Sequence, residues 1–180
     1  MGNQNVTIVG AGPSGLTLAW WLVEDGVPVT VLEREPAIPR DMRASTFHPA
    51  TLDLLKASGL ARSLIERGTV VPQWQYLIHE TGERAIFDMA CLNKVTAHPF
   101  RLQCEQFQLT PLFADKLAQH PLCTMSFNAS FENATRHSEG VTILYRSKGE
   151  PHRLQSSWVI AADGASSQVR KSLGLAFTGH

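Results

Sequence analysis

The sequence predicts an α/β fold in which a parallel sheet is joined by an antiparallel, β-rich insertion. Three observations carry this expectation. Residues 5–9 contain a short apolar, β-branched run, Val-Thr-Ile-Val, of the kind found in strands buried on both faces. A glycine-rich break, a segment of helical period and a second apolar run then follow before residue 33. Farther along, the apolar period changes from that of a helix to that of a strand, and turn residues recur at short intervals.

Taken in order, the glycine-rich break covers residues 10–15. Helical spacing resumes over 16–24, with Leu18, Trp21 and Leu22 as its apolar positions, and Asp25-Gly26 is a stop signal. Residues 27–32 form the second strand, completing a βαβ unit. A polar, proline-punctuated loop occupies 34–47. A helix is expected over 49–58, opened by Pro49, buried through Leu52 and Leu55, and stopped by Gly59. Residues 75–79 and 84–87 flank Glu80-Thr81-Gly82-Glu83 as a hairpin. The next helix covers 105–119, and Pro111 inside it means either a kink or a later start with Thr110 as N-cap. Strands follow at 123–127, 130–136, 141–146 and 153–155, turning at Ser138-Glu139-Gly140 and Lys148-Gly149-Glu150. Residues 158–162 form a last apolar strand that ends in Asp163-Gly164.

Bulk properties narrow the function classes. A chain of 180 residues has about the size of one domain. The 16 basic residues balance 16 acidic ones, so no net field invites nucleic acid or an anionic membrane. Apolar runs fall short of the ~20 residues of a membrane span, and no signal pattern precedes the first strand. Cys91, Cys104 and Cys123 lack CxxC spacing, which favours reduced thiols; a cytoplasmic protein is expected. The seven histidines show neither HExxH nor i, i+4 pairing, so no metal site is expected. Trp20, Trp21, Trp74 and Trp158 read as core or sheet-packing residues.

Chemistry concentrates first in Gly10-Ala11-Gly12-Pro13-Ser14-Gly15. The motif follows a strand and opens a helix, the context in which GxGxxG binds a dinucleotide. Gly10 serves the tight turn, Gly12 the approach of a pyrophosphate and Gly15 the close packing of helix on strand. The helix N-terminus, with Pro13 and Ser14, offers N–H groups and a positive dipole end to the phosphates. Glu33 stands at the end of the second strand, about twenty residues on, where a carboxylate accepts ribose hydroxyls and repels a 2′-phosphate. The alternative for Glu33 is a solvated acid in the Glu33-Arg34-Glu35 cluster. These features favour FAD or NAD over NADP without separating the first two.

Two further stretches, Arg43-Ala44-Ser45-Thr46-Phe47-His48-Pro49 and Ala161-Ala162-Asp163-Gly164-Ala165-Ser166-Ser167-Gln168-Val169-Arg170, complete a pattern. With the glycine motif they resemble the single-component flavoprotein monooxygenases, the FAD-dependent aromatic hydroxylases of the para-hydroxybenzoate and phenol hydroxylase kind. The resemblance runs the length of the chain. It implies a Rossmann-like FAD/NAD(P)-binding fold over 1–180, with 72–100 as the start of a substrate-domain β insertion. It implies FAD as cofactor, NAD(P)H as co-substrate, and hydroxylation of a small aromatic, phenolic substrate with dioxygen. Arg34, Arg43 and Gln103 join the glycine loop and Glu33 as cofactor-binding residues, and Asp163, Gly164 and Arg170 match the family's Asp-Gly motif. For Asp163 the alternative is a cap on the following turn or helix.

The family's later Gly-Asp motif and final helix are not found after Arg170, so an N-terminal portion, truncated at the C-terminus, is expected. Apolar surface is expected to be exposed near residue 161 and the Asp163 turn. No catalytic residue is identifiable. Another FAD-dependent oxidoreductase, or a non-catalytic dinucleotide-binding module, remain as competing readings.

Overall fold

The structure is a computed structural model, and it describes residues 4–40, 42 and 44–179. In chain order its strands and helices are β1 (Val6–Val9), α1 (Pro13–Glu24), β2 (Val29–Leu32), β3 (Thr46–Phe47), α2 (Pro49–Ala57), α3 (Leu60–Ile65), β4 (Thr69–Val71), β5 (Gln73–Leu77) and β6 (Arg84–Asp88). They continue with β7 (Arg101–Gln103), α4 (Leu109–Ala118), β8 (Cys123–Ser126), β9 (Ala129–His137), β10 (Gly140–Ser147), β11 (Glu150–Ser156), β12 (Trp158–Ala161) and α5 (Gln168–Ser172). Two compact units result, one from residues 1–40 and 110–180, the other from 41–109.

The first unit holds a four-stranded parallel sheet in the order β12-β1-β2-β8. β1 is buried along its whole length, with Val6–Val9 set against Trp158–Ala161 on one side and Val29–Leu32 on the other. Val9 and Leu32 meet the antiparallel meander β11-β10-β9 through Ala129, Phe131 and Ile143, and Val169 of α5 closes this core. α1 packs on β1 and β2 and touches α4 where Trp20 lies 6.4 Å from Phe113.

Several expectations change in detail. α1 begins at Pro13 rather than residue 16, because proline suits the first helical position and Gly12 supplies the extended N-cap. Its buried face is Gly15, Leu16, Ala19 and Val23, while Leu18, Trp21 and Leu22 are half-buried. The small residues let the helix lie close to the sheet. β2 starts at Val29 because the Val27 N–H turns back to Leu22 O. α4 takes the later start, at Leu109 after a 3-10 turn at Gln106–Gln108. Pro111 therefore sits in the first turn, where its missing N–H costs nothing, and Thr110 is inside the helix rather than its N-cap. Trp158 is not core: it opens the edge strand β12 and is 62% exposed. Leu173, Leu175 and Phe177 are exposed as well, so apolar surface does accompany this end of the sheet.

The second unit contains a small antiparallel sheet, β3-β7-β4, with α2 and α3, whose Leu52, Leu55, Leu60 and Leu64 are buried. Beside it β5 and β6 pair from Gln73–Asp88 to Leu77–Arg84, and the connection turns at Gly82 with φ +72°. Among the described residues, no helix is long and apolar enough to cross a membrane.

Candidate functional site

The glycine loop lies at the C-terminal ends of the parallel strands, where open α/β sheets bind their ligands. Gly10 has φ +107°, and a Cβ there would overlap the Ala162 carbonyl oxygen and come within 3.1 Å of Asp163 Cα. Its N–H donates to Leu32 O at 2.8 Å, and Ala162 N–H donates to Val9 O at 2.8 Å. A Cβ on Gly15 would overlap the Gly10 carbonyl oxygen. Two glycines are thus demanded by the protein itself. Gly12 differs: its φ of −73° and ψ of 178° suit any residue, and nothing lies within 4 Å of a Cβ placed there. No side chain caps α1, and no acid stands in its first turn. The helix end therefore faces open space with its donors and dipole uncompensated, and Ser14 beside it is exposed.

Glu33 is only 6% exposed, so it is not the solvated acid of a charged cluster. Its Oε2 accepts from Ala11 N–H at 2.7 Å and its Oε1 from Glu35 N–H at 3.0 Å. The carboxylate locks the strand end to the glycine loop, and each oxygen retains a lone pair for a further donor. Arg34 is exposed and pairs with Glu35 at 3.1 Å.

The Asp163 turn is both cap and neighbour of the loop. Asp163 Oδ1 accepts from Ser167 Oγ at 2.6 Å, and Oδ2 accepts from the N–H groups of Gln168 and Val169 at 2.6 and 3.1 Å. Ser167 in turn caps α5 by accepting from Arg170 N–H. Gly164 turns at φ +79°. Arg170 donates to Ala165 O at 3.0 Å and its guanidinium sits 4.8 Å over the Phe177 ring, while its Nε is buried without a partner.

The structure therefore brings together Gly10, Gly15, Glu33 and Asp163 in one unit. Gln103 belongs to the other, on β7, where it is exposed and its Oε1 accepts from Thr46 Oγ1 at 3.1 Å. Arg43 lies outside the described residues. Sequence reasoning did not single out Ala11 or Ala162, whose contributions are backbone atoms and leave no mark in residue type. It also missed Asp53, which accepts from Thr96 Oγ1 at 2.6 Å and lies 2.7 Å from His98 Nδ1. The Thr96 hydrogen bond, then the His98 one, holds the Asp53 carboxyl below the usual range. Forty-five residues separate the two, so no spacing rule reveals them. No cluster among the described residues could hold a metal ion.

An open helix N-terminus for a pyrophosphate, beside a buried carboxylate with free lone pairs for a ribose, fits the adenosine diphosphate half of an unphosphorylated dinucleotide. Comparison with known proteins agrees. Residues 3–180 match the family model described as the FAD binding domain. The chain is 34% identical over 177 residues to para-nitrophenol 4-monooxygenase of Pseudomonas sp. strain WBC-3, covering 98% of this chain and 44% of that protein. Its fold superposes on p-nitrophenol 4-monooxygenase from Pseudomonas putida with a TM-score of 0.91 at 32% identity, covering 98% of this chain and 45% of the other. A ternary complex of aklavinone-11 hydroxylase with FAD and aklavinone gives a TM-score of 0.82 at 26% identity, covering all of this chain and 37% of that one. The chain thus spans less than half the length of these proteins.

Proposed function

The chain belongs to the FAD-binding domain family, and on that premise we propose that it is the N-terminal, cofactor-binding portion of an FAD-dependent aromatic hydroxylase. The reaction uses NAD(P)H and dioxygen to hydroxylate a small phenolic substrate. The observation that carries this reading is the glycine loop: its outward Gly12 leaves room for a pyrophosphate, in a chain similar over 98% of its length to a nitrophenol monooxygenase.

FAD, when bound, supplies the electron transfer and oxygen chemistry. The chain's own residues bind and orient. The Ser14 and Gly15 N–H groups at the start of α1, with Pro13 in the first turn, would hold the pyrophosphate beside Gly12. Glu33 accepts the ribose hydroxyls, already fixed by Ala11 and Glu35, so no carboxylate entropy is lost on binding. Asp163 keeps Gly164 in its turn through α5, and so acts by holding backbone donors in place. Arg34, Arg43, Gln103 and Arg170 are the remaining cofactor contacts in this reading. Residues 72–100 begin the substrate-binding part. The free thiols Cys91, Cys104 and Cys123 support a cytoplasmic setting.

Purified chain should show a flavin absorbance spectrum and gain thermal stability with added FAD. A colourless protein that FAD does not stabilise would refute the cofactor assignment. Flavin-bound full-length protein that oxidises no NAD(P)H with any phenol of a broad panel would refute the hydroxylase assignment alone.

A further inference from the structure

We propose that Arg101, set against Trp74 and Phe87, is the recognition site for the anionic oxygen of a phenolate substrate. The inference rests on the aromatic-hydroxylase reading and names the substrate feature that this unit selects.

Arg101 lies on β7, the central strand of the small sheet, opposite Val71. Its neighbour Leu102 is fully buried, so alternation turns Arg101 to the other face. There its guanidinium carbon stands 5.5 Å from the centre of the Trp74 ring. Phe87 covers one face of that indole at 4.1 Å with planes 10° apart, which leaves the other to the guanidinium. Tyr76, two residues beyond Trp74 on the same strand, extends the aromatic strip and is 63% exposed.

The polar side of this arrangement is unfinished. Arg101 Nε is buried without a hydrogen-bond partner, and no carboxylate among the described residues pairs with the guanidinium. Two of the hairpin's acids are committed elsewhere: Asp88 accepts from Gln73 Nε2 at 3.0 Å and from Ala90 N–H at 2.8 Å, and Glu83 accepts from Thr81 Oγ1. Some surface arginines do find a carboxylate, as Arg62 does in Glu66 and Arg146 in Glu132. A half-buried cation that is held by an aromatic ring and lacks an anion is uncommon in a purely structural role, since buried donors are almost always met. Packing on Trp74 presets the fork, so its terminal N–H groups lose little freedom when an anion arrives. A planar cation beside an exposed aromatic strip matches a ligand that is itself a flat ring bearing negative charge.

The test uses the full chain with FAD, and equilibrium dialysis of two probes: 4-nitrophenolate, at a pH where it is ionised, and the neutral 4-nitroanisole. The native protein should prefer the phenolate by about tenfold to a hundredfold, the range of a charge-assisted hydrogen bond. R101Q should abolish that preference while leaving FAD affinity unchanged. R101K, which keeps charge and stem but not the fork, should retain part of it and serves if R101Q does not fold. A native protein that holds FAD but binds both probes equally overturns the assignment and leaves the FAD reading intact. So does an R101Q that keeps the preference. If R101Q or R101K loses FAD along with the phenolate, the guanidinium serves the cofactor and the assignment falls.

Discussion

Gly12 and Gly15 belong to one motif, yet alanine at the two positions should have opposite consequences. At Gly15 the added Cβ meets the Gly10 carbonyl oxygen, a backbone atom that no rotamer change can move, and lies 3.3 Å from Ala162 Cβ. Overpacking of this kind costs roughly 1–3 kcal/mol, and the better helix preference of alanine returns at most ~1 kcal/mol. A net loss of about 1–2 kcal/mol follows, which for a chain of this size lowers Tm by roughly 2–8 °C. At Gly12 the dihedrals suit alanine and the Cβ enters open space. Removing the unfolded-state freedom of glycine there stabilises by up to ~1 kcal/mol. The methyl group, however, stands where the pyrophosphate would approach, so FAD affinity should drop at least about tenfold, ~1.4 kcal/mol. Thermal unfolding without FAD and titration of FAD by quenching of its fluorescence separate the two effects. If Gly12→Ala melts as early as Gly15→Ala, or binds FAD as the native chain does, the division of labour within the loop is wrong.

Glu33→Ala should weaken FAD binding, and it should also destabilise the FAD-free chain by roughly 1–3 kcal/mol, because Ala11 N–H is left buried without an acceptor. An unchanged urea midpoint would show that the loop does not depend on this carboxylate. Asp53 has a folded-state pKa below its ordinary value of 3.8, so its stabilising contribution is full above 3.8 and is lost as pH falls through the lower, folded value. Asp53→Asn should therefore lower the urea midpoint near neutrality and flatten its decline in acid; parallel pH profiles for the two proteins would contradict this. Burial pushes the Cys123 thiol up to about 11 and raises Cys104 as well, whereas Cys91 is exposed. Iodoacetamide should modify Cys91 in the native protein and reach the others only on unfolding, as peptide mapping would report.

The βαβ unit was legible because its signals are local. A β-branched run, a glycine break and a helical period need no partner elsewhere in the chain. The meander from Ala129 to Ser156 was legible for the same reason, its turns marked by Gly140 and by Lys148-Gly149. Strands β3, β4 and β7 were not. They are two or three residues long and are defined only by pairing with one another across the second unit. The site divides along the same line. The glycines and Glu33 stand out as residue types, but the buried contact from Glu33 to Ala11 and the clasp of Ala162 on Gly10 are made by backbone atoms. Trp158 was misread because an apolar strand implies burial, and an edge strand satisfies that on one flank only.

The placement of β12 beside β1 also bears on when the loop can take shape. Val9 meets Leu32 after a short excursion, but its partner Ala161 lies 152 positions farther along the chain. Gly10 is clasped by Ala162, so the turn that presents Gly12 has one wall that is synthesised long after the turn itself. Contacts this distant in sequence form slowly, because the closure entropy is spent before the contacts repay it. During synthesis the Gly10 turn should stay mobile until residue 162 has left the ribosome, although its Gly10 and Ala11 amides can already bond Leu32 and Glu33. A turn already rigid by nuclear magnetic resonance in a nascent chain ending near residue 120 would argue against that order. The most recognisable motif of the sequence is in this sense encoded early and completed late.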